Sequence, residues 1–254
     1  MSETAALTDA LVQAWRSGVP LPAATAALAP RDAAGAYAVQ RRVAAVLGWF
    51  PQGRPRAWKL GMPRDGGMPT AAPVPDELLF ASPARRPASG FHCVIGVEVE
   101  LAVRLRDAVP AGADRHEIAQ AIGETIAAIE LFDVRAEQWR SLPATFLLAD
   151  QQMHAGLVLG SGISGAWSDA FARSELSIEV DGRQTARPHG GHPLGDPLHL
   201  LPWLASHAAA YGDGLRAGDL VSTGSWIALY EARAGERICA RFEGVGTVEL
   251  EIGA

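Results

Sequence analysis

The sequence predicts an α+β fold, in which a helical N-terminal piece precedes a mixed core rich in strands. Three observations lead to this prediction. Helical spacing of apolar residues dominates the first fifty positions, alternating apolar residues dominate from position 91 onward, and two helical stretches interrupt the strands. A chain of 254 residues suffices for one large domain or for a main domain with a small one. We expect a helical N-terminal segment over 1–60 and a β-rich domain over 61–254.

The N-terminal region contains two predicted helices and then a loop. Apolar residues keep helical spacing over 7–15, and the glycine and prolines of 17–22 end that helix. The pattern predicts a second helix over roughly 31–47, with Gly48 as its C-terminal signal. A stretch dense in proline and glycine follows, and within it we expect one short strand at 57–61.

The remainder of the chain is predicted to be mainly strands. "HCVIGVEVELAVRL" at 92–105 alternates between apolar and other residues, and "LSIEVDG" followed by "RQTAR" at 176–187 indicates a hairpin. Three more strand patterns close the chain at 218–226, 236–244 and 246–252.

Two helices are predicted among these strands. One begins near Asp114, where Glu117 three positions later resembles a capping box. For the other, the pattern indicates Asp196 as the N-cap, Pro197 at the first helical position and Gly212 past the end.

Composition excludes several classes of function. The net charge of −6 disfavours nucleic acid and anionic membranes as partners, since both reward clustered lysine and arginine. Cys93 and Cys239 lie far apart and outside any CxxC pattern, so we expect no disulfide or zinc site. The N-terminus lacks the basic region of a signal peptide, and no apolar run reaches the ~18 residues that span a bilayer. We predict a soluble cytoplasmic protein.

Two glutamates interrupt the strand pattern "GVEVELAV" at 96–103. Side chains of a strand alternate between its faces, so Glu98 and Glu100 share one face while the valines occupy the other. Taken alone, this pattern is typical of an antiparallel strand with one solvated face. The alternative is that both carboxylates meet a cation.

Glu130 favours the second alternative. It lies in "AAIELF", where both neighbouring faces look apolar, and a buried carboxylate needs a cation or hydrogen bonds. An isolated glutamate in such a run is more often paired structurally than used as a ligand. Three carboxylates from two strands, however, are the hard oxygen ligands that Mg²⁺ and Mn²⁺ prefer.

An ordered set of motifs connects these residues to a known family. The motifs are "AYAVQ", "WKLG", "GVEVELA", "AAIELFDVR", "LLADQQMHAGLVLG", "LGDPLHLLPWLASHAAAYGDGLRAGDLVSTGS" and "RFEGVGTVELEI". Together they resemble the 2-keto-4-pentenoate hydratase and 4-oxalocrotonate decarboxylase family of the fumarylacetoacetate hydrolase superfamily. The resemblance covers nearly the whole chain, and 194–225 is its most specific part. It implies a β-rich core of the fumarylacetoacetate hydrolase C-terminal type, with the catalytic residues in 61–254 and a helical N-terminal segment.

The resemblance also implies a set of site residues. Glu98, Glu100 and Glu130 match the family's ligands for a divalent ion, Mg²⁺ or Mn²⁺. Lys59 matches the active-site lysine, although beside Trp58 it would otherwise be read as a surface lysine.

Further residues are carried over as catalytic or substrate-binding. These are Asp76 (with Glu77 as the alternative), Asp150, and the turn of Thr223, Gly224 and Ser225, whose backbone N–H groups would lie near a substrate carboxylate.

The clearest departure from the family is "DQQMHAG" at 150–156, where relatives usually have small residues. Bulkier side chains there would reshape the substrate pocket, and His154 is either an acid/base group or a lining residue. Another pair of histidines, in "PHGGH" at 188–192, is interpreted as a loop because the intervening glycines fix no geometry.

The implied function is a metal-dependent hydratase of 2-hydroxy-alka-2,4-dienoates in aromatic meta-cleavage catabolism. Its partner would be a small 2-keto or 2-hydroxydienoate molecule, and relatives lead us to expect a homo-oligomer. The alternatives are a 4-oxalocrotonate (2-oxo-3-hexenedioate) decarboxylase, which would use the same metal site, and a non-catalytic partner subunit of the same fold.

Overall fold

The computed structural model describes residues 3–62, 67–185, 191–210 and 214–254, and two β-sheets form its centre. Its helices are α1 (Glu3–Ser17), α2 (Ala33–Leu47), α3 (Arg115–Ala121), α4 (Ala144–Ala149) and α5 (Leu201–Ala209). Its strands are β1 (Ala57–Gly61), β2 (Thr70–Pro73), β3 (Leu79–Ala81), β4 (Ala84–Pro87), β5 (Gly96–Leu105), β6 (Ile122–Phe132), β7 (His154–Ser164), β8 (Leu176–Val180), β9 (Arg183–Gln184), β10 (Leu220–Ser225), β11 (Tyr230–Glu231), β12 (Arg237–Phe242) and β13 (Gly246–Gly253). The predicted α+β class is confirmed.

The larger sheet has the order β2-β1-β10-β5-β6-β7-β3, and β11 pairs with β5 beside it. The smaller sheet has the order β4-β13-β12-β8-β9. Val97, Val99 and Leu101 of β5 are buried in one apolar cluster with residues of β12 and β13, so this face of the larger sheet packs on the smaller one. Because side chains alternate, Glu98 and Glu100 lie on the opposite face.

The N-terminal helices form a second apolar cluster. Residues of α1 and α2 pack there with α4 and with the segment that follows β6. As the sequence predicted, α2 ends at Gly48, whose φ of 72° lies in the left-handed region that glycine tolerates. The first strand, β1, crosses residue 60 and pairs with β10 of the larger sheet. The N-terminal region thus contributes a strand to the larger sheet, and the expected division into 1–60 and 61–254 stays a prediction.

One of the two later helices agrees with its predicted cap and the other does not. Asp114 caps α3, and its side chain and that of Glu117 form the reciprocal bonds of a capping box. The helix predicted to begin at Asp196 begins instead at Leu201. Asp196 accepts a hydrogen bond from the N–H of Leu198 at 3.0 Å, which closes a turn before the helix, and Pro202 occupies the first helical turn. Gly212 lies outside the described residues. None of the described helices is long and apolar enough to cross a membrane.

Candidate metal centre

A cleft of about 610 Å³ opens at the end of the larger sheet, between the sheet and the loops beside α4 and α5. Its polar part contains Lys59, Glu98 and Glu100. Most of the remaining wall is apolar, and it includes Met62, Phe132, Leu147, Leu148, Met153, Trp226 and Ile227. The cleft thus combines a charged base with an apolar wall, which is the usual composition of a small-molecule site.

The three predicted glutamate ligands meet at this base. The antiparallel register of β5 and β6 places Glu98 directly opposite Glu130, and Glu100 follows two positions along the same face. One carboxylate oxygen of each lies within 4.8 Å of the others. Glu100 and Glu130 are buried, whereas Glu98 is half-buried at the cleft. The structure therefore brings together the carboxylates that the sequence placed on two separate strands, and the face that they share is not a solvated surface.

A bulge in β10 shapes the environment of Glu100. The register between β10 and β5 shifts between Ser222 and Ser225, and Gly224 has a φ of 104° that favours glycine. As a result, the Ser222 hydroxyl and the Gly224 N–H, at 3.0 Å, both donate to Oε2 of Glu100. Thr223 lies between them with its side chain turned away, and it donates to the carbonyl oxygen of Leu101 at 2.8 Å.

Lys59 lies beside the glutamates in β1. It is 4% exposed, and its ammonium group donates to Oε1 of Glu130 and, at 3.0 Å, to the carbonyl oxygen of Gln152. Burial opposes the charged form, but Glu130 and, more weakly, Glu98 and Glu100 outweigh it and raise the pKa of Lys59. Lys59 is consequently a buried, protonated group at the base of the cleft and not a surface lysine.

Two carboxylate oxygens at this base are left without a hydrogen-bond partner among the described residues. They are Oε1 of Glu100 and Oε2 of Glu130, and both are buried. Burial, and then the charge of Glu98, raise the pKa of Glu100 to about 7. Burial also raises the pKa of Glu130 well above its ordinary value, despite the ion pair with Lys59. Buried, unpartnered, like-charged oxygens are unfavourable alone, and a divalent cation would satisfy them. The residues present therefore fit Mg²⁺ or Mn²⁺.

Comparison with known proteins identifies the family of the chain. The family model described as fumarylacetoacetate (FAA) hydrolase C-terminal matches residues 74–252. The chain belongs to this family. The predicted family membership is thereby confirmed, and so is the predicted type of fold.

Relatives and solved structures in the superfamily add detail. The chain is 33% identical to a 2-keto-4-pentenoate hydratase of Burkholderia vietnamiensis over 60% of its own length and 58% of that relative's length. It is 26% identical to a 2-keto-4-pentenoate hydratase of Paraburkholderia xenovorans over 96% of its own length and 92% of that relative's. Its fold is similar to that of the 4-oxalocrotonate decarboxylase from Pseudomonas putida G7, complexed with magnesium and adipate. That match has a TM-score of 0.85 and 20% identity, and it covers 98% of this chain and 97% of that one.

Four residues that the family resemblance assigned to the site do not line the cleft in this member of the family. Asp76 is exposed in a short 3₁₀ turn. Asp150 and His154 are fully buried around Arg135, and Thr223 holds the bulge of β10 from behind. The described cleft wall includes only Gly224 and Ser225 from the predicted turn. The substrate contacts predicted for these four residues stay predictions. In this arrangement Asp150, Thr223 and Nε2 of His154 already have backbone or side-chain partners, whereas Nδ1 of His154 has none among the described residues.

His154 in particular has a structural environment. Its Nε2 lies 3.1 Å from the carbonyl oxygen of Pro73, and its own carbonyl oxygen accepts a bond from Arg135 at 2.8 Å. Burial, followed by the charge of Arg135, lowers the pKa of His154 well below its ordinary value. His154 is thus a buried imidazole outside the cleft lining, and both roles considered for it, lining and acid/base, stay predictions.

Gln152 and Met153 line the cleft, and both belong to the 150–156 segment that was expected to reshape the pocket. His192 and Trp226 also line it, but they were not among the predicted site residues. His192 accepts a bond at Nδ1 from the N–H of Leu194 at 3.2 Å, which leaves Nε2 to donate to the carbonyl oxygen of Gly224 at 3.3 Å. It thus supports the glycine of the β10 bulge as a neutral imidazole, whereas His189 of the same motif lies outside the described residues. The Gly-rich spacing around His192 carried no signal for this role.

Proposed function

We propose that this protein is a hydratase that depends on Mg²⁺ or Mn²⁺ and adds water to 2-hydroxy-alka-2,4-dienoates of aromatic meta-cleavage catabolism. The observation that carries the proposal is the group of Glu98, Glu100, Glu130 and Lys59 at the base of an apolar cleft. The names of the hydratase relatives support the choice of reaction.

The proposed reaction consumes one water and no other co-reactant. The dienol first becomes a 2-keto acid, because the proton of its 2-hydroxyl is lost while carbon 5 gains one. Water then adds across carbons 3 and 4, with its oxygen bonded to carbon 4 and one of its protons delivered to carbon 3. The product is a 4-hydroxy-2-keto acid.

The residues of the cleft have different roles in this reaction. A divalent ion held by the three glutamates would stabilise the negative charge that develops on the 2-oxygen of the substrate. Lys59 holds a proton at Nζ within the same site, and Glu130 and Gln152 fix the position of that atom. The apolar wall formed by Phe132, Leu147 and their neighbours would exclude bulk water from the conjugated chain.

The same wall favours the hydratase over the decarboxylase. The decarboxylase substrate 2-oxo-3-hexenedioate carries a second carboxylate, which needs a cation or several donors. In the described part of the chain, Lys59 is the cation of the cleft lining, and it is already paired with Glu130. A substrate with one carboxylate and an apolar tail fits this composition better.

An absorbance assay tests the proposal. A 2-hydroxy-2,4-dienoate mixed with the protein and Mg²⁺ or Mn²⁺ should lose its dienol absorbance and yield a 4-hydroxy-2-keto acid, and a chelator should stop the reaction. Glu98→Gln should abolish turnover. Glu124→Gln is the matched control, because Glu124 lies on β6 but pairs with Arg104 away from the cleft.

Other outcomes would identify the alternatives. Release of CO₂ from 2-oxo-3-hexenedioate, with the dienoates untouched, would show a decarboxylase. Tight binding of Mg²⁺ without turnover of any keto acid would show a non-catalytic subunit. The homo-oligomer stays a prediction that sedimentation analysis can check.

A further inference from the structure

The segment between α4 and β7 has an unusual backbone. Gln151, Gln152 and Met153 are consecutive non-glycine residues with φ values of 51°, 50° and 65°. Residues other than glycine rarely adopt this left-handed region, and such strain persists only where the surroundings enforce it. One consequence is that Gln152 turns its carbonyl oxygen to Lys59 Nζ, at 3.0 Å, while its side chain lies in the cleft wall.

The orientation of the Gln152 amide follows from its neighbours. The Thr70 hydroxyl donates to the carbonyl oxygen of Gly61 at 3.3 Å, so its oxygen is left to accept a hydrogen bond. The NH₂ group of Gln152 supplies that bond at 2.8 Å. Gly61 makes room for this group, since a Cβ at position 61 would lie 2.1 Å from Nε2 of Gln152. Gln152 therefore has one fixed amide orientation, with Oε1 turned away from Thr70.

That oxygen is left without a partner. Gln152 is 7% exposed, and its Oε1 is buried with no hydrogen bond among the described residues. An unsatisfied buried acceptor is unfavourable. Because Gln152 belongs to the cleft wall, a hydrogen-bond donor of a bound ligand would satisfy this oxygen. A molecule bound in the cleft beside Lys59, which the backbone carbonyl oxygen of Gln152 contacts, would be placed to supply this donor.

We propose that Gln152 is a specificity-determining residue whose Oε1 accepts a hydrogen bond from the carbon-4 hydroxyl of the 4-hydroxy-2-keto acid. This inference rests on the proposed hydratase function. In that product the carboxylate and the ketone are acceptors only, and the hydroxyl is the single donor. The same oxygen would orient the water that becomes this hydroxyl. Gln152 forms and breaks no covalent bond in the reaction.

A binding comparison on the unmodified protein tests the proposal first. The probes are 4-hydroxy-2-oxopentanoate and 2-oxopentanoate, which differ only in the hydroxyl, and each competes with the dienoate in the presence of Mg²⁺. We expect the hydroxylated acid to bind about 10-fold to 100-fold more tightly, because the analogue leaves the buried acceptor unpaired. Equal affinities would overturn the proposal.

A variant then assigns the effect to the side chain. Gln152→Met keeps the length of the side chain and removes both polar atoms, and it should abolish the discrimination between the two probes. Hydration kcat/KM should fall about 10-fold to 100-fold. Exchange of the carbon-3 protons of 2-oxopentanoate with deuterated water needs no hydroxyl at carbon 4, and it should change by less than about threefold.

Matched variants control for strain and folding. Gln138→Met makes the same change at an exposed residue with a φ of 52°, and it should leave all three measurements at their original values. Thr70→Val, which frees the Gln152 amide to rotate, should weaken the discrimination, while Thr70→Ser should retain it.

The outcomes separate two failures. A protein that hydrates dienoates but binds both probes equally contradicts the role of Gln152 alone. A protein that never hydrates a dienoate contradicts the proposed function, and equal binding of the probes would still reject Gln152 as the acceptor. A Gln152→Met variant that loses exchange and hydration to the same extent would show a structural effect and also count against the proposal.

Discussion

Two clusters of mainly buried, ionisable residues have members close together in the sequence. They differ in how many of their polar atoms have hydrogen-bond partners. The glutamate cluster consists of Glu98, Glu100, Glu130 and Lys59. The arginine cluster consists of Arg135, Asp150, Asp133 and His92. Glu130 belongs to β6, and Asp133 and Arg135 follow directly after that strand in "IELFDVR". Proximity in sequence therefore does not explain the difference between the clusters.

The arginine cluster is saturated with hydrogen bonds. Asp150 accepts from Nε of Arg135 at 2.6 Å and from the backbone N–H of Arg135 at 2.9 Å. The two oxygens of Asp133 accept from His92, through its N–H and its ring, and from the N–H groups of Cys93 and Val94. With every carboxylate oxygen partnered, this cluster connects the end of β6 to the loops around it.

The glutamate cluster at the base of the cleft, in contrast, is not saturated with hydrogen bonds. Glu100 and Glu130 each keep one buried oxygen without a partner in the described structure, and like charges lie within 4.8 Å of one another. Burial of these unpartnered oxygens and like charges opposes folding when no ligand is bound. Satisfied buried charge is therefore structural here, and unsatisfied buried charge is the better guide to a ligand.

The largest effect on stability should follow from breaking the arginine cluster. Asp150→Asn removes the negative charge that pairs with the buried guanidinium of Arg135. It also replaces one of the two acceptor oxygens by an NH₂ group, which then faces an N–H donor of Arg135. We expect the free energy of unfolding to fall by about 3–5 kcal/mol in denaturant titrations. Asp196→Asn is the matched control, because Asp196 also pairs with an arginine, Arg115, but at the surface, and about 1 kcal/mol or less is expected. Equal losses in both variants would remove the contrast between buried and exposed pairs.

An intermediate effect should appear in the glutamate cluster only when metal is added. Mg²⁺ at a hundredfold excess over its Kd should stabilise the unmodified protein by about 2.7 kcal/mol, measured by thermal unfolding. Glu100→Gln should lose this gain. In the absence of metal it should be at least as stable as the original, since burial and Glu98 already oppose the charge of Glu100. A marked loss of metal-free stability would show that Glu100 is structural, like Asp150.

The smallest effect concerns Asp133 and depends on pH. Burial opposes the charge of Asp133, but the hydrogen bond from His92, the charge of Arg135 and the backbone bonds outweigh it and lower the pKa of Asp133. Its folded pKa is thus below the unfolded value of about 3.9, and its contribution is present above that value and lost as the pH falls through the folded pKa.

Asp133→Asn tests the direction of this pH dependence of stability. We expect it to reduce the free energy of unfolding by about 1–3 kcal/mol at pH 7, with a deficit that shrinks below about pH 4. Denaturant titrations at both pH values measure the deficit. A deficit that is the same at both values would mean that the geometry of the side chain matters and its charge does not.

Much of the secondary structure was accessible from local patterns. The alternation in "GVEVELAV" predicted which face of β5 is apolar, and the capping residues predicted the beginning of α3 and the end of α2. The start of α5 was predicted wrongly, because an aspartate followed by proline stabilises a tight turn as well as a helix N-terminus. Tertiary contacts decided between them, since Asp196 also pairs with Arg115 of α3.

Only part of the candidate site could be predicted from the sequence. Glu130 could be named because a charged residue between apolar neighbours is visible in a sequence. The family resemblance was needed to assign Glu98, Glu100 and Lys59 to the same site. Asp150 and His154 could not be separated from them, since the sequence does not reveal that Arg135 pairs with the Asp150 carboxylate and donates to the backbone carbonyl oxygen of His154.

The sequence by itself determined the α+β class, the alternation that puts Glu98 and Glu100 on one face, and the acidic residues available for a cation. These depend on interactions between residues that are near in the chain. Only the tertiary structure decided that Glu130 stands opposite Glu98, that a bulge directs two donors to Glu100, and that the Gln152 amide lies against Gly61. Those arrangements depend on the register between strands and on the space between distant segments, neither of which any local pattern specifies.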